Sequence, residues 1–336
     1  MKNKLKNLKI IALVVIAGLS IAACLGVYDS FKANGGSRDD GELGDSSKFK
    51  DNSYLEDNGD FESDGDSEGD GDLGGDGDPV DDTENLIFFD EFNGTSLDTK
   101  KWNLCPEWNR QGRSTWKDDM VSVSGGYLHI KFKRDPELGA ANSKSSDPAV
   151  AENWIRSGGV RTLKKDSYTV LFENSYGYYE SKIKFPVVKG TWGAFWLMSR
   201  TVEKVGNGGV DGTEIDIIES INNESGKYNA ALHWDGYGAD HKSVTSRQWP
   251  VGIYDGNFHI FALEWTPTEY VFYIDDVVFW RVDGGSSFQN VGINEHPNYI
   301  KLTVEGAAWA GNLPSGWNEG EMLVDYVRVY KQKPKT

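Results

Sequence analysis

The chain has 336 residues and a formal net charge of −17, with 12 Trp, 15 Tyr, 39 Gly and only 2 Cys. Two cysteines exclude a disulfide framework, and a negative balance without a basic stripe speaks against a nucleic-acid partner. No His/Cys cluster has zinc spacing and no glycine loop has phosphate-cradling spacing.

Lys2, Lys4, Lys6 and Lys9 precede an apolar run from Ile10 to Ala23. These are the charged and apolar regions of a secretory signal, and the run is shorter than the ~20 residues a spanning helix needs. It ends in Leu19-Ser20-Ile21-Ala22-Ala23-Cys24, small residues before a Cys that resemble a bacterial lipobox. That resemblance implies a signal over 1–23 and a protein held at the extracellular face of a bacterial membrane through lipidated Cys24. An ordinary signal would leave the protein secreted.

Residues 24–84 are low in complexity, with 20 acidic and 4 basic residues over 25–84. Such a segment buries too little apolar surface to fold, and reads as an extended tether spanning on the order of 40 Å. Its Asp-Gly-Asp units lack the Glu that closes a calcium loop. With Cys24 lipidated, Cys105 has no partner and reads as a small buried apolar side chain.

Residues 85–332 suffice for one large domain, leaving 333–336 as a tail. Alternating runs rich in β-branched and aromatic residues mark strands at 176–185, 258–265, 270–275 and 322–330. No segment sustains helical periodicity over three turns. Many short strands between Gly, Asn, Asp and Pro clusters predict an all-β sandwich or barrel.

The stretch Thr213-Glu214-Ile215-Asp216-Ile217-Ile218-Glu219-Ser220 carries the chemistry. On a regular strand Glu214 and Asp216 share a face and Glu219, at i+5, points away. One extra residue near Ile217-Ile218, a β-bulge, returns Glu219 to the face of the other two. Three acids held close on one rigid strand cannot all ionise freely, so one carboxyl is pushed toward the protonated form beside a carboxylate. That pairing serves glycoside hydrolysis; a solvated strand edge or half of a metal site is the plainer alternative. Aromatic side chains next to this strand suit the C–H face of a sugar. Trp192 and Trp196 lie on the strand before it, His233 and Trp234 on the strand after, and Trp309 in a glycine-rich loop.

Taken together the chain resembles glycoside hydrolase family 16 over nearly all of 86–331. The resemblance is carried in order by Phe89-Asp90-Glu91-Phe92-Asn93-Gly94, Tyr176-Gly177-Tyr178-Tyr179-Glu180-Ser181-Lys182-Ile183-Lys184, Thr191-Trp192-Gly193-Ala194-Phe195-Trp196-Leu197-Met198, the acidic strand, Phe258-His259 with Glu264-Trp265-Thr266-Pro267, and Asp325-Tyr326-Val327-Arg328-Val329-Tyr330. It implies a jelly-roll β-sandwich of two curved antiparallel sheets (the concanavalin A-like lectin/glucanase fold), with substrate on the concave face. It also implies Glu214 as nucleophile, Glu219 as acid/base and Asp216 as the assisting acid. Retention of configuration then needs the two Glu carboxyls about 5–5.5 Å apart. Arg161, Glu180, His233 and Glu305 join the tryptophans as substrate-binding candidates. The resemblance implies no cofactor for catalysis, but a structural Ca2+ at Glu91, Gly126 and Asp325.

The function so implied is a retaining endo-β-glycosidase, a monomer acting on a polysaccharide, with β-1,3- or β-1,3-1,4-glucan as the first substrate class. Two segments depart from common laminarinases: Cys105 to Trp116, polar, basic and aromatic, and Glu305-Gly306-Ala307-Ala308-Trp309-Ala310-Gly311. They keep an endo-β-galactosidase or galactan hydrolase as an alternative. A non-catalytic carbohydrate-binding surface lipoprotein is the third reading.

Overall fold

The computed structural model describes residues 85–110, 112–221, 227–246, 252–284 and 291–335. Cys24, the signal and the acidic segment up to residue 84 lie outside the described residues. Among those described, the strands form two sheets. One has seven strands, in the spatial order Lys242–Thr245, Tyr228–Trp234, Thr213–Ser220, Trp192–Ser199, Asn298–Glu305, Gly159–Arg161 and Asn103–Leu104. The acidic strand is therefore internal, paired on both sides.

The other sheet has eleven strands. Its path runs Val277–Asp283, Glu269–Ile274, His259–Trp265, Gly177–Lys184, Glu319–Tyr330, Tyr127–Arg134, Ile155–Ser157, Ser114–Trp116 and Asn109–Arg110. Leu86–Asp90 pairs with Glu319–Tyr330, and Val121–Ser124 with Tyr127–Arg134. The expected all-β sandwich is present, with one difference: Ser114–Trp116 and Ile155–Ser157 run parallel. A long excursion separates these two strands, which is what a parallel return requires.

That excursion holds two helices, Pro136–Asn142 and Pro148–Glu152. Both are too short to show periodicity. The readable signal was the Asp-Pro pair opening each one. The Asp135 carboxylate accepts from Leu138 N and that of Asp147 from Ala149 N, with Pro in the first turn.

Alternation along the strands decides what faces what. Ile215, Leu197, Phe195, Leu232, Ile300, Leu302 and Val304 point between the sheets and pack against Tyr179, Ile183, Phe261, Leu263, Phe272, Val324 and Val327. Burying each such side chain contributes about 1.5–3 kcal/mol. The other face of the seven-stranded sheet is left to Glu214, Asp216, His233, Lys301 and Glu305. Gly212, with φ +155°, fixes the entry to the acidic strand: a Cβ there would lie 2.5 Å from the Thr201 carbonyl.

Candidate active site

The bulge is present where the spacing predicted it. Towards the preceding strand, Asp216 pairs with Trp196, but Ile218 pairs with Phe195 and Glu219 with Ala194. Towards the following strand, Asp216 pairs with Ala231 and Glu219 with Asn229. Ile217 is the extra residue. Both it and Ile218 are fully buried in the core, so two apolar side chains hold the kink that turns Glu219 outward with Glu214 and Asp216.

Each acid then meets a different set of partners. The Tyr237 hydroxyl donates to Glu214 Oε2. Asp216 Oδ2 lies 3.4 Å from His233 Nε2, and His233 Nδ1 lies 3.0 Å from His241 Nε2, the two rings stacked nearly parallel. Glu219 accepts from Trp192 Nε1 at 3.1 Å and from Asn229 Nδ2 at 2.7 Å.

These surroundings separate the protonation states. Burial, then the charge of Asp216, pushes Glu219 up to about 8. Burial, then the charge of Glu214, raises Asp216 to about 6 against the pull of His233. For His233, burial opposes its charge, but the hydrogen bond and charge of Asp216 and the charges of the other acids outweigh it and take it up to about 9. Burial and the neighbouring His233 charge lower His241. At neutral pH the cluster therefore holds a protonated Glu219 and a His233 cation that donates to Asp216 through Nε2 and to neutral His241 through Nδ1.

A carboxyl whose folded pKa stands above its unfolded value favours the native state at low pH. That stability is full below about 4.5 and is lost as the pH rises towards 8. Glu219→Gln cannot ionise, so it is expected to raise Tm at pH 8 and leave it unchanged near pH 4, by about 2–4 °C per kcal/mol relieved. Calorimetry at the two pH values reads this. Equal melting of both proteins at pH 8 would count against a buried acid at this position.

The other expected site residues divide. Trp192 stands over Glu219 and meets Trp309 edge to face, ring centroids 4.7 Å apart; Trp309 is 46% exposed. Glu305 pairs in register with Trp192 and accepts from Arg110 Nε at 3.1 Å. Trp196 is on the same face but covered: the Lys301 ammonium sits 3.5 Å from its ring centroid, and its Nε1 donates to Thr303.

Three candidates leave the site. Trp234 is buried in the core, because it neighbours His233 and successive strand residues point to opposite faces. Glu180 is on the eleven-stranded sheet, where Tyr179 and Ser181 are fully buried and Glu180 points outward to Arg328, 3.7 Å away. Arg161 is buried three strands from the acids and donates to the carbonyl of Lys164.

At the expected calcium positions the two carboxylates are paired within the protein. Glu91 accepts from Arg328 at 2.8 and 3.0 Å, and Asp325 lies 2.7 Å from Lys182 Nζ. Both carboxylates are already answered by protein cations, and Gly126 is a turn residue with φ +83°. Among the described residues one group of His, Cys, Asp and Glu is gathered tightly enough for a metal: Glu214, Asp216 and His233, with donor atoms within 4.8 Å of one another. His233 would first have to give up its proton.

Several neighbours of the acids were not singled out from sequence. Asn229 was legible, since it shares the alternation of His233. So was Lys301, which alternates with Ile300 and Leu302. Tyr237 and His241 sit on a loop, where no periodicity announces them. Cys105 is buried, as expected of a small apolar side chain.

A family model described as "Beta-porphyranase A-D, GH16 domain" matches residues 84–332. The chain belongs to glycoside hydrolase family 16. Within this family it is similar to a glucan endo-1,3-beta-glucosidase A1 of Niallia circulans, 26% identical over 74% of this chain. It is also similar to a keratan-sulfate endo-1,4-beta-galactosidase of Sphingobacterium multivorum, 29% identical over 73% of this chain. This chain spans 38% and 55% of those two relatives' own lengths. Among solved structures, the catalytic domain of an endo-1,3-beta-glucanase (laminarinase) from Thermotoga petrophila RKU-1 is 25% identical with a TM-score of 0.57. That likeness covers 74% of this chain and 98% of the other. The jelly-roll architecture of the family 16 glucanases is thus the fold of the described residues.

Proposed function

We propose that the protein is a retaining endo-β-glycosidase that cuts within a polysaccharide. The observation that carries this reading is the bulge, which sets Glu214, Asp216 and Glu219 on one face with Glu219 buried, where burial and the Asp216 charge raise its pKa. In the first step Glu214 attacks the anomeric carbon, the glycosidic bond breaks, and Glu219 gives its proton to the departing oxygen. In the second step Glu219 takes a proton from water, whose oxygen displaces Glu214. The Trp192 indole N–H and the Asn229 amide hold the Glu219 carboxyl in place for both transfers. The His233 cation lets Asp216 stay charged beside Glu214.

The first substrate class is β-1,3- or β-1,3-1,4-glucan, after the glucanase relatives. The galactan reading is favoured by the family model matched, by the keratan-sulfate relative, and by one contact: Arg110 and Glu305 join the two segments that depart from the laminarinase pattern. Their backbones also meet, as Gly112 bridges to Ala307. Reducing-sugar release from laminarin, lichenan, agarose, porphyran and keratan sulfate separates the readings, with Glu214→Gln as control. No release from any polymer by a protein that binds one of them would turn the reading to a lectin.

Trp309 and Trp192 are the aromatic platform for the sugar faces. Trp309→Ala is expected to raise KM about 10-fold and leave kcat within about twofold, because it removes contact area made equally in ground and transition states. Initial rates on the active polymer test this; an unchanged KM would remove Trp309 from the binding surface.

A further inference from the structure

The loop between the strands Tyr228–Trp234 and Lys242–Thr245 has no place in the reading above, yet it reaches the reacting carboxylate. Asp235 and Gly236 both take left-handed backbone angles, φ +60° and +71°, which turn the chain back over the acidic strand. The turn is pinned at several points. The buried Asp235 carboxylate accepts from Gly206 N at 2.9 Å and pairs with Lys242, and Gly236 N donates to Val202 O at 2.8 Å. These anchors deliver the Tyr237 hydroxyl to Glu214 Oε2. Its single hydrogen goes to the carboxylate; the sulfur of Met198, which pairs with Glu214 across the strands, is a packing neighbour at 3.6 Å. Burial and then the charge of Glu214 hold the Tyr237 phenol far above its ordinary range, so it stays a donor throughout.

We propose that Tyr237 acts through Glu214 to speed the release of the covalent glycosyl-enzyme. This rests on Glu214 being the nucleophile. A hydrogen bond to a carboxylate is stronger than one to a neutral ester. When Glu214 Oε1 attacks, its negative charge is consumed and the bond from Tyr237 weakens. The hydroxyl therefore does not favour the first step. In the second step the water oxygen bonds to the anomeric carbon and the C–Oε1 bond breaks. The electron pair returns to the Glu214 carboxylate and one water proton goes to Glu219. Charge reappears on the carboxylate whose Oε2 faces Tyr237, so the hydrogen bond strengthens as that transition state forms. Only a contact that is stronger in the transition state than in the ground state accelerates a step. Tyr237 keeps its proton throughout, and no co-reactant is needed.

The test is Tyr237→Phe in the full chain, which keeps the ring and removes only the hydroxyl. The probe is the 2,4-dinitrophenyl β-glycoside of the disaccharide released from the active polymer; its good leaving group makes the second step limiting. The expected result is a kcat about 10- to 100-fold lower, the loss of one hydrogen bond to a charged group. KM should fall in proportion, kcat/KM should stay within about threefold, and a burst of dinitrophenolate should precede the slow steady state. A purely structural role would not lower KM in proportion to kcat while leaving kcat/KM nearly unchanged. An unchanged kcat would overturn the proposal, and so would equal losses in kcat and kcat/KM without a burst. Glu214→Ala with added azide separates the two levels. Rescue as the inverted glycosyl azide upholds the nucleophile whatever Tyr237 does; its absence overturns the nucleophile, and the role of Tyr237 with it.

Discussion

Replacing Glu214 by Gln is expected to cut polymer turnover roughly 10^4-fold or more, the scale on which removing a nucleophile from a concerted set of groups acts. Gln is nearly isosteric and the strand is held by core contacts of Ile215, Ile217 and Ile218 on its other face, so the fold should survive. Glu219→Gln is expected to lose about 10^2- to 10^4-fold on the polymer, the range of general acid–base catalysis. The two losses differ in kind. With a dinitrophenyl leaving group the first step needs no proton, so Glu219→Gln recovers its initial burst and Glu214→Gln does not. Steady-state and burst kinetics on both substrates, with circular dichroism to confirm folding, make the comparison. Near-normal rates for either variant on the polymer would sink the proposed pair of roles.

The second large effect is on the pH profile. Step one needs Glu219 protonated, so kcat/KM should fall as the pH rises through about 8. At the acid end Asp216 takes up a proton near 6 and gives up its ion pair with His233, so the rate should fall again below that pH. The two limbs belong to the coupled cluster rather than to single residues. Asp216→Asn distinguishes this account from a generic bell. Asp216 is the first charge that raises Glu219 after burial itself. Without it, Glu219 should lose its proton more readily and the basic limb should move down by on the order of one pH unit. The acid limb near 6 should vanish, as its titrating group is gone. A basic limb that stays in place or moves upward in this variant would show that another group governs it.

The acids illustrate how far local pattern carries. Their spacing predicts that a two-residue period fails between Asp216 and Glu219, and the structure resolves the failure into one extra residue, Ile217, pressed into the core. The same rule, applied to His233-Trp234, separates a site residue from a core residue, since neighbours on a strand cannot face the same way. Glu180 could not be placed by such a rule. Its alternation is regular, and which of its two faces meets the other sheet depends on partners far along the chain. Arg161 lies on the expected face, yet strand order and the loop it bonds to keep it from the acids.

By itself the sequence determined the all-β class, the acidic strand with its bulge, and the aromatic residues flanking it. These follow from side-chain periodicity and residue chemistry, which act over a few neighbouring positions. Tertiary structure alone decided that Arg110 meets Glu305, that Glu91 and Asp325 are answered by Arg328 and Lys182, and that Tyr237 and His241 close over the acids. Each of these contacts depends on strand order or on the path of an irregular loop. Both are set by how distant apolar faces pack together, and neither leaves a local repeat in the chain.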